Sequence, residues 1–490
     1  MSLPDDPVRA TRREPPLIVD MDGTLIDTDS LYEGVMQLWK IEPRLPLLIP
    51  LWLLRGKAAL KREIANRVTL DAAFLPYNQR LLSQLRQRKG TCALVLCSAA
   101  DHRFAGAVAA HIGLFDEVVA TRGDVNLTSG AKARALVERY GAGGFDYAGN
   151  DVADLRVFAD ARHAHLVNPT FALRRRVSQV TNRAAMHDVP ARAMWSRLRE
   201  YLRALRPHQW VKNVLVYVPL LATTSLEHLD KFVPATLAAV CLCLVSSSGY
   251  LMNDLIDLGA DRRHPRKRLR PIAAGTVPLQ HAMAMIPLLL ITAFAIASRI
   301  SLLFSGVLLL HLVCASLYTF WLKRVPLLDT LVLAGLYTLR IFAGAAAIMV
   351  VPSVWLISFS MFFFLSLALA KRHSELVELQ GTDNDGAIPG REYQTEDLGT
   401  LISQGSASGY SAVLVLALYI DSTQVRQQYR HPEIIWLICP LVLYWINKLW
   451  LNSARRQIND DPVIWAFKNR VSRGIAFLSV VLLLLARWLP

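Results

Sequence analysis

One stretch of the chain combines acidic and amide side chains at the end of an apolar run. The run covers 233–252, and it is followed by Asn253, Asp254, Asp257 and Asp261. On a helix the three aspartates stand at i, i+3 and i+7 and share one face, so their charges repel one another unless a cation holds them. Hard oxygen ligands of this kind suit Mg²⁺. The pattern therefore predicts a magnesium site at the end of a helix.

A dense group of cationic side chains follows this acidic face. The group consists of Arg262, Arg263, Arg266, Lys267, Arg268 and Arg270. Acidic groups that bind a metal, followed by basic groups that bind phosphate, are what a metal-bound diphosphate requires. The simpler alternative is a solvated helix end with a positively charged loop, which explains the arginines but not the oxygen-bearing side chains on one face.

The composition of the chain indicates a membrane protein. Its 490 residues carry a net charge of +15, and 53% of them are apolar. Basic residues alternate with long apolar runs, which favours cytoplasmic loops between membrane helices over nucleic-acid binding. The six cysteines show no metal or redox spacing, so a reducing compartment is expected. The first residues lack the apolar core of a signal peptide, which predicts a cytoplasmic N-terminal domain.

The residues before 205 follow the alternation of a doubly wound α/β domain. Strands are predicted at 17–19, 93–96, 118–119 and 164–167, and helices at 103–111, 131–139 and 152–161. Residues from about 30 to 90 interrupt this alternation and predict a helical cap. Within the cap, the apolar run 45–54 is either a core helix or a segment that dips into the membrane interface, anchored by Trp52.

The first predicted strand ends in the sequence D-M-D-G-T, which begins at Asp20. Side chains two apart on a strand point the same way, so Asp20 and Asp22 converge. This motif resembles the first motif of the haloacid dehalogenase (HAD) phosphatase superfamily, and the predicted HAD-like domain covers 1–170. Ser98 fits the second motif of that family and Lys132 its phosphate-binding lysine, so both are expected to bind phosphoryl oxygens.

The HAD resemblance implies a Mg²⁺-dependent phosphatase. Asp20 would be the nucleophile, and Asp22 the general acid that later acts as the base. Mg²⁺ would lie between Asp20, the Asp22 carbonyl and a downstream acid. The acidic metal motif of the family matches G-N-D-V-A-D, but its usual aspartate after the glycine is Asn150 here. Asp151 or Asp154 is therefore expected to bind the metal.

The remaining residues are predicted to form a linker and a membrane domain. The basic segment 171–205 is interpreted as a linker with an amphipathic helix on the membrane surface. From 206 to 490 the chain contains nine apolar runs: 211–224, 233–252, 279–298, 302–322, 327–350, 354–370, 406–420, 434–450 and 475–489. By the positive-inside rule these runs predict nine transmembrane helices in the cell (inner) membrane, with the N-terminal domain and the active sites on the cytoplasmic side.

The nine runs and the N-D-x-x-D-x-x-x-D motif resemble the UbiA superfamily of intramembrane prenyltransferases. Three segments are most similar to its decaprenyl-phosphate phosphoribosyltransferase branch: 205–213, 264–271 and 318–329. The resemblance implies phosphoribosyl diphosphate (PRPP) as the donor and a polyprenyl phosphate as the acceptor. Ordinary members of the superfamily carry a second D-x-x-x-D motif where this chain has K-R-H-S-E at 371–375. Cations in that position suit additional phosphate.

The transfer site is expected to contain the acidic face and several cations. Asn253, Asp254, Asp257 and Asp261 would bind Mg²⁺ and, through it, the diphosphate. The other substrate-binding candidates are Lys267, Arg270, Lys323, Lys212, Arg340, Lys371, Arg372, Glu375, Arg391 and Tyr393. Arg340 lies inside an apolar run, where a charge indicates either function or a structural partner beside a water-filled cavity.

The predicted fold class is an N-terminal α/β doubly wound, HAD-like domain with a helical cap, followed by an all-α, UbiA-like membrane domain of nine helices. The predicted function joins the two: transfer from PRPP leaves a 5-phosphate on the lipid-linked ribose, and the HAD-like domain removes it. At least one Mg²⁺ is expected in each domain. The sequence leaves the oligomeric state open.

Two alternatives stay open at this point. One is a prenyltransferase that uses a prenyl diphosphate and another acceptor, with an unrelated or inactive HAD domain. The other is a transporter or scaffold without catalysis. The aspartates stand at a helix end rather than at mid-membrane, which argues against a transport site.

Overall fold

The computed structural model describes residues 14–42, 44–123, 126–180, 194–222, 229–379, 392–458 and 461–488. These residues form two compact units. The first unit combines the residues up to Leu205 with Tyr250–Ile286, and the second combines Arg206–Gly249 with the residues from Pro287 onward. The acidic face and the basic loop thus belong to the same unit as the N-terminal residues, a grouping that the predicted boundaries did not anticipate.

The first unit contains a five-stranded parallel sheet in the order β3-β2-β1-β4-β5. Its strands are β1 (Leu17–Asp20), β2 (Leu94–Asp101), β3 (Glu117–Thr121), β4 (Asp146–Gly149) and β5 (Ala164–Leu166). The helices that follow the strands are α5 (His102–Ile112), α6 (Ser129–Tyr140) and α7 (Leu155–Asp160). Because β1 is central, side chains at the carboxyl ends of β1, β2 and β4 meet at one edge of the sheet.

Strand β4 was not predicted from the sequence. Its residues read Asp-Tyr-Ala-Gly, which is neither an apolar run nor a clean alternation. The segment forms a strand because β1 and β5 pair with it on both sides, and all four of its residues are buried. This burial brings Tyr147 into the interior, where it becomes part of the candidate site.

Four helices cover the predicted cap region. They are α1 (Ser30–Ile41), α2 (Ile49–Leu54), α3 (Lys57–Ala65) and α4 (Gln79–Arg88), with 3₁₀ turns at Leu45–Leu48 and Ala72–Phe74. In the apolar run 45–54, Leu47 is 78% and Leu54 is 85% exposed, whereas Trp52 is buried beneath the guanidinium of Arg67. The exposed leucines favour the interfacial alternative over a core helix, but the leucines and not Trp52 would contact the membrane.

The linker contains α8 (Phe171–Val180) and α9 (Met194–Ala204), and the residues between them lie outside the described part of the chain. Further helices are α10 (Val218–Ala222), α11 (Leu229–Ile256), α12 (Leu258–Arg263), α13 (Leu279–Ile300), α14 (Leu302–Phe320), α15 (Leu328–Ala347), α16 (Val354–Leu379), α17 (Leu398–Ile420), α18 (Thr423–Gln428), α19 (Pro432–Ile435), α20 (Ile438–Ala454), α21 (Pro462–Lys468) and α22 (Arg470–Trp488).

The prediction of nine transmembrane helices is wrong: within the described residues, eight helices are long and apolar enough to span a membrane. The first predicted run forms a 3₁₀ helix, Pro207–Tyr217, and then the short α10. Pro219 has no amide hydrogen to continue one α-helix through this run, and Lys212 and Asn213 make buried polar contacts. The corrected fold class is a multi-pass membrane protein that is 72% helical, with a small parallel sheet near its N-terminus.

Candidate functional site

Asp20 ends β1 and is buried at the edge of the sheet. The amine of Lys132 donates to Asp20 Oδ1 at 2.7 Å, and the Thr24 hydroxyl donates to Oδ2 at 3.2 Å. Lys132 also donates to the Tyr147 hydroxyl at 3.0 Å and to Asp154 Oδ1 at 3.4 Å. The predicted nucleophile and the predicted phosphate-binding lysine are therefore in direct contact.

Asp22 lies one pleat further along the same segment and faces the start of α1. The backbone amide and the hydroxyl of Ser30 donate to its two oxygens at 2.8 and 3.1 Å. Burial and the neighbouring Asp29 carboxylate raise the pKa of Asp22 to about 8. Burial raises the pKa of Asp20 to about 6, against the opposing effect of Lys132. This rise in the pKa of Asp22 favours its protonated form, which is the form a general acid requires.

Ser98 lies within β2, directly after Cys97, the residue that pairs with Asp20. It is buried, and its hydroxyl accepts a hydrogen bond from the amide of Ala100 at 3.0 Å. The structure therefore brings the predicted second motif to the same edge of the sheet as the first. Both come from adjacent parallel strands, which is the arrangement expected for an α/β domain.

The acidic motif after β4 behaves differently from the prediction. Asp151 is exposed and accepts the amide of Ala153, so it caps the following turn. Asp154 is buried, but its carboxylate accepts from the Tyr147 hydroxyl and from Lys132. Asn150 instead reaches the first motif: its amide oxygen lies 3.1 Å from the Thr24 hydroxyl, whose single hydrogen can go either to Asn150 or to Asp20.

Asp20 and Asn150 both contact Thr24, so two hard oxygen donors lie side by side. Gly23, at φ +73°, leaves room for the Asn150 side chain, because a Cβ at this position would collide with it. Within the described residues, no group of three or more His, Cys, Asp and Glu side chains could hold a metal. A carboxylate, an amide oxygen and a backbone carbonyl nevertheless form a donor set that suits Mg²⁺.

The sequence did not identify Lys61 as a site residue. This lysine on α3 donates to the carbonyl of Ala99 at 2.6 Å and to Asn126 Oδ1 at 3.1 Å. Burial lowers its pKa, whereas the carboxylates of Asp22 and Asp29 raise it. A cation from the cap therefore lies near the two acidic side chains. Only its position on a helix after an apolar run was visible in the sequence.

The second candidate cluster in the first unit is an acidic pair, Asp254 near the end of α11 and Asp261 in α12. Asp254 and Asp261 are both buried, and Nη1 of Arg270 donates to them at 3.2 and 2.6 Å. The Arg270 side chain is 30% exposed. The structure thus brings two predicted metal ligands and one predicted phosphate ligand into contact.

Asp257 does not join this pair. The helix is interrupted there: α11 ends at Ile256, and Asp257 is the exposed N-cap of α12. Asn253 is half-buried, and its carbonyl accepts the amide of Asp257. Lys267 is exposed, with its backbone amide bonded to His264. The single helical face predicted for the three aspartates is therefore interrupted at its middle member.

The second unit contains a buried group of cations around Asp461. Lys212 and Lys371 both donate to Asp461 Oδ2, at 2.8 and 3.0 Å. The Tyr337 hydroxyl donates weakly to Oδ1 at 3.4 Å. Burial lowers the pKa of Lys212 to about 8 although Asp461 opposes this shift. Two lysines share one carboxylate here, which leaves an excess of positive charge.

Arg340 lies beside this group and has structural partners. Its Nε donates to Asn213 Oδ1 at 3.0 Å, and Nη1 donates to the carbonyl of Leu336 at 2.7 Å. The guanidinium also lies over the ring of Tyr337 at 5.2 Å. Asn213 and Asp461 were not selected from the sequence, because each is separated from its cationic partner by more than a hundred residues.

Arg372 and Tyr393 were predicted to bind substrate, but their polar atoms contact other side chains. Arg372 is fully buried and donates to Asp329 at 2.5 Å, to Glu375 at 2.5 Å and to the Tyr318 hydroxyl at 2.8 Å. The Tyr393 hydroxyl donates to Asp329 at 2.5 Å. These contacts use the hydrogen-bond donors of the Arg372 guanidinium and indicate a structural role for Arg372 and Tyr393.

Replacing Asp329 by alanine should therefore destabilise the membrane part. The change leaves Arg372 buried without its fully buried partner, which typically costs about 3 kcal/mol or more. Thermal unfolding of the detergent-solubilised protein measures this. Asp421→Ala is the matched control, because Asp421 pairs with Arg426 on an exposed surface, where such pairs contribute little. Equal unfolding temperatures for the two variants would contradict the structural role.

Lys323 is half-buried on the 3₁₀ turn Leu322–Arg324. Arg391 lies outside the described residues.

Comparison with known proteins gives matches over both parts of the chain. An uncharacterized protein, y4nM, of Sinorhizobium fredii is 35% identical over 467 residues, which is 94% of this chain and 89% of that protein. A match of that length includes the N-terminal part. Decaprenyl-phosphate phosphoribosyltransferase of Mycolicibacterium smegmatis is 36% identical over 179 residues, or 36% of this chain. That match spans only 56% of the phosphoribosyltransferase.

Among solved structures, a UbiA homolog from Archaeoglobus fulgidus bound to GPP and Mg²⁺ superposes with a TM-score of 0.44 at 16% identity. The superposition covers 58% of this chain and 99% of that one. The sequence model of the UbiA prenyltransferase family matches residues 214–471, more than half of the chain. This protein is therefore a multi-pass membrane protein that belongs to the UbiA prenyltransferase family.

Proposed function

We propose that this UbiA-family transferase moves 5-phosphoribose from PRPP to a polyprenyl phosphate, and that its N-terminal part then removes the 5-phosphate. The observation that carries the first step is the buried pair Asp254 and Asp261 in contact with Arg270. A pair of carboxylates that already shares a cation is suited to a metal-bound diphosphate. Identity over 179 residues to a decaprenyl-phosphate phosphoribosyltransferase supports the choice of donor and acceptor.

In the transfer step the acidic pair would hold Mg²⁺, which would neutralise the negative charge of the diphosphate leaving group. Arg270 is partly exposed, so it can exchange its contacts with Asp254 and Asp261 for phosphate oxygens of the donor. The acceptor phosphate is already an anion, and it attacks C1 of the ribose as the bond to the diphosphate breaks. This reaction therefore needs no general base from the chain.

Lys212 and Lys371 are proposed to bind a substrate phosphate. They share Asp461, and this carboxylate neutralises only one of the two charges. The resemblance to the UbiA superfamily implies that Lys371 stands where ordinary members carry an acidic motif, and a cation there suits phosphate rather than further metal. The lipid phosphate and the 5-phosphate of PRPP share this chemistry.

The phosphatase step uses the cluster at the edge of the sheet. Asp20 attacks the phosphorus of the 5-phosphate, and the bond to the ribose oxygen breaks. Asp22 gives its proton to that oxygen and then removes a proton from the water that releases inorganic phosphate from Asp20. Lys132 and Ser98 bind phosphoryl oxygens, and Asp20, Asn150 and the Asp22 carbonyl would hold the Mg²⁺ that screens phosphate from carboxylate.

A test of Lys61 follows from its position near Asp22. We expect Lys61→Met to lower kcat/KM for a soluble phosphomonoester roughly tenfold or more, because a cation that faces the phosphate is lost. Lys57→Met, one turn earlier on α3 and exposed, is the matched control and should keep wild-type kinetics. Identical kinetics for both variants would exclude Lys61 from the site.

We also propose that both reactions take place on the cytoplasmic side of the cell membrane. The direct contact between Arg262 and Glu33 supports one common side for the basic loop and the N-terminal residues. The basic loop itself supports the cytoplasm as that side. This argument does not depend on the number of membrane crossings, which the corrected fold class changes.

The function is tested with purified protein, Mg²⁺, PRPP and a polyprenyl phosphate, followed by mass spectrometry of the lipids. The expected product is polyprenyl-phosphoryl ribose without the 5-phosphate. Prenyl diphosphates of several lengths serve as competing donors. Transfer from a prenyl diphosphate with none from PRPP would overturn the proposal in favour of an ordinary prenyltransferase.

A further inference from the structure

The basic loop after the acidic pair makes one buried ion pair with the cap region of the same unit. Arg262 donates to the two carboxylate oxygens of Glu33 at 2.9 and 2.6 Å. Its Nε donates to the carbonyl of Ala273 at 3.1 Å, which ties both ends of the loop together. The side chains of Arg262 and Glu33 are 7% and 2% exposed. A buried pair tolerates little displacement, because separation would leave a charge in the interior without a partner.

Glu33 is connected to Asp22 through the first turn of α1. The Thr28 hydroxyl donates to Glu33 Oε1 at 2.6 Å, so the carboxylate is held between Thr28 and Arg262. Ser30, three residues before Glu33 on the same helix, donates both of its hydrogen bonds to Asp22. The position of the helix start therefore controls the two hydrogen bonds that orient Asp22.

A backbone contact reinforces the ion pair. Gly275, at φ +68°, packs against the carbonyl of Asp27 so closely that a Cβ would collide with it. Asp27 belongs to the turn between the D-x-D-G-T motif and α1. The basic loop therefore packs closely against the turn that follows the D-x-D-G-T motif.

The same loop also contacts the acidic pair, through Arg270. Asp261 and Arg262 are neighbours in the short helix α12; Asp261 contacts Arg270, and Arg262 contacts Glu33. We propose that Arg262 and Glu33 are positioning residues that couple the two reactions. A metal-bound diphosphate at the acidic pair would change the position or the mobility of α12. The ion pair would pass that change to α1, and so to the two hydrogen bonds that Ser30 donates to Asp22. The proposal rests on the function proposed above for the two sites.

The coupling makes dephosphorylation depend on the loop that binds the donor. It also makes donor binding depend on the N-terminal part, because a coupling free energy is reciprocal. Glu33→Gln should therefore raise the KM for PRPP, although Glu33 belongs to the phosphatase side. Arg262→Gln should lower kcat for a soluble phosphomonoester. Coupling of typical strength corresponds to a change of about tenfold in the affinity for PRPP.

The first experiment measures hydrogen exchange in the full-length protein, with and without magnesium diphosphate as the probe. We expect slower exchange in peptides that cover 253–270 and also in those that cover Ser30–Ile41. In Arg262→Gln only the first change should persist. Protection confined to 253–270 in the wild type would overturn the coupling alone. Protection in neither region would overturn the proposed diphosphate site together with the coupling.

The second experiment compares the kinetics of matched variants. Asp71→Asn is the control. Asp71 pairs with Arg263, the residue that follows Arg262, but the two side chains are 42% and 59% exposed, and exposed ion pairs contribute little. It should change neither reaction. The double variant Glu33→Gln, Arg262→Gln leaves no buried charge unpaired, so it tests coupling in a protein that still folds. Wild-type KM and kcat in the double variant would overturn the proposal, and so would equal effects from Asp71→Asn.

Discussion

Asp20→Asn should stop the protein at the phosphorylated lipid. The carboxylate that takes the phosphoryl group is replaced by an amide that cannot form the aspartyl phosphate, so phosphatase turnover should fall by roughly four orders of magnitude. Phosphoribosyl transfer should continue, since Asp254 and Asp261 lie in a separate cluster. Mass spectrometry should then show polyprenyl-phosphoryl ribose 5-phosphate in place of the dephosphorylated product.

Two companion variants sharpen this result. Asn150→Ala should lower phosphatase turnover, because the Asn150 oxygen lies beside Asp20 on Thr24. Asp151→Asn should have a much smaller effect, since Asp151 is exposed and only caps a turn. An unchanged product from Asp20→Asn would show that the N-terminal part does not act on this lipid. A larger loss from Asp151→Asn than from Asn150→Ala would contradict the metal ligands proposed here.

Asp261→Asn should abolish phosphoribosyl transfer and leave the phosphatase active on a soluble phosphomonoester. Asp261 shares Arg270 with Asp254, so the change removes half of the buried negative charge that would hold the metal. A loss on the order of a thousandfold in kcat/KM for PRPP is expected for a group that stabilises the leaving diphosphate. Lipid product formed from PRPP measures the effect.

The control for this second prediction is Asp421→Asn, the same change at an exposed aspartate on the turn after α17. It should preserve transfer. A chelator should remove transfer in the wild type, and added Mg²⁺ should restore it. Transfer that survives Asp261→Asn within tenfold of the wild type would exclude the acidic pair as the metal site.

These two predictions distinguish the phosphatase activity from phosphoribosyl transfer. They do so with changes at Asp20 and Asp261, which lie in one compact unit. The same unit contains the ion pair of Arg262 and Glu33, so a loss of both activities from a change at that pair has a physical route. Single changes at Asp20 and Asp261 remove chemistry at one site each, whereas a change at Glu33 alters the position of groups at both. The three outcomes are therefore distinguishable in one set of assays.

Local sequence patterns were sufficient for the chemical groups of the sites. The D-x-D-G-T motif begins at the last residue of β1, and the structure brings Asp20 into contact with Lys132. Asp22 lies beyond the strand and contacts Ser30 instead. Apolar runs were sufficient for most membrane helices, because burial in a bilayer requires about twenty apolar residues in sequence. These features depend on residues close to one another in the chain, and local periodicity reports them directly.

Only the tertiary structure decided which charged groups are available to a substrate. Arg372 was a candidate ligand by its position in the motif, but Asp329 and Tyr318 occupy it. Arg262 looked like any other arginine of a basic loop until its partner Glu33, 229 residues away, was found. Such partners are brought together by packing, and packing leaves no periodic trace in the sequence.

The number of membrane helices also depends on contacts that the sequence does not show. The run 211–224 is apolar enough to suggest a span, yet its polar members Lys212 and Asn213 hold partners from distant helices and Pro219 breaks its continuity. The sequence by itself therefore determined the family and most of the membrane helices. The tertiary structure determined which helices are long enough to span a membrane, which charges pair with one another and that the basic loop contacts Glu33, because those outcomes depend on contacts between residues far apart in the chain.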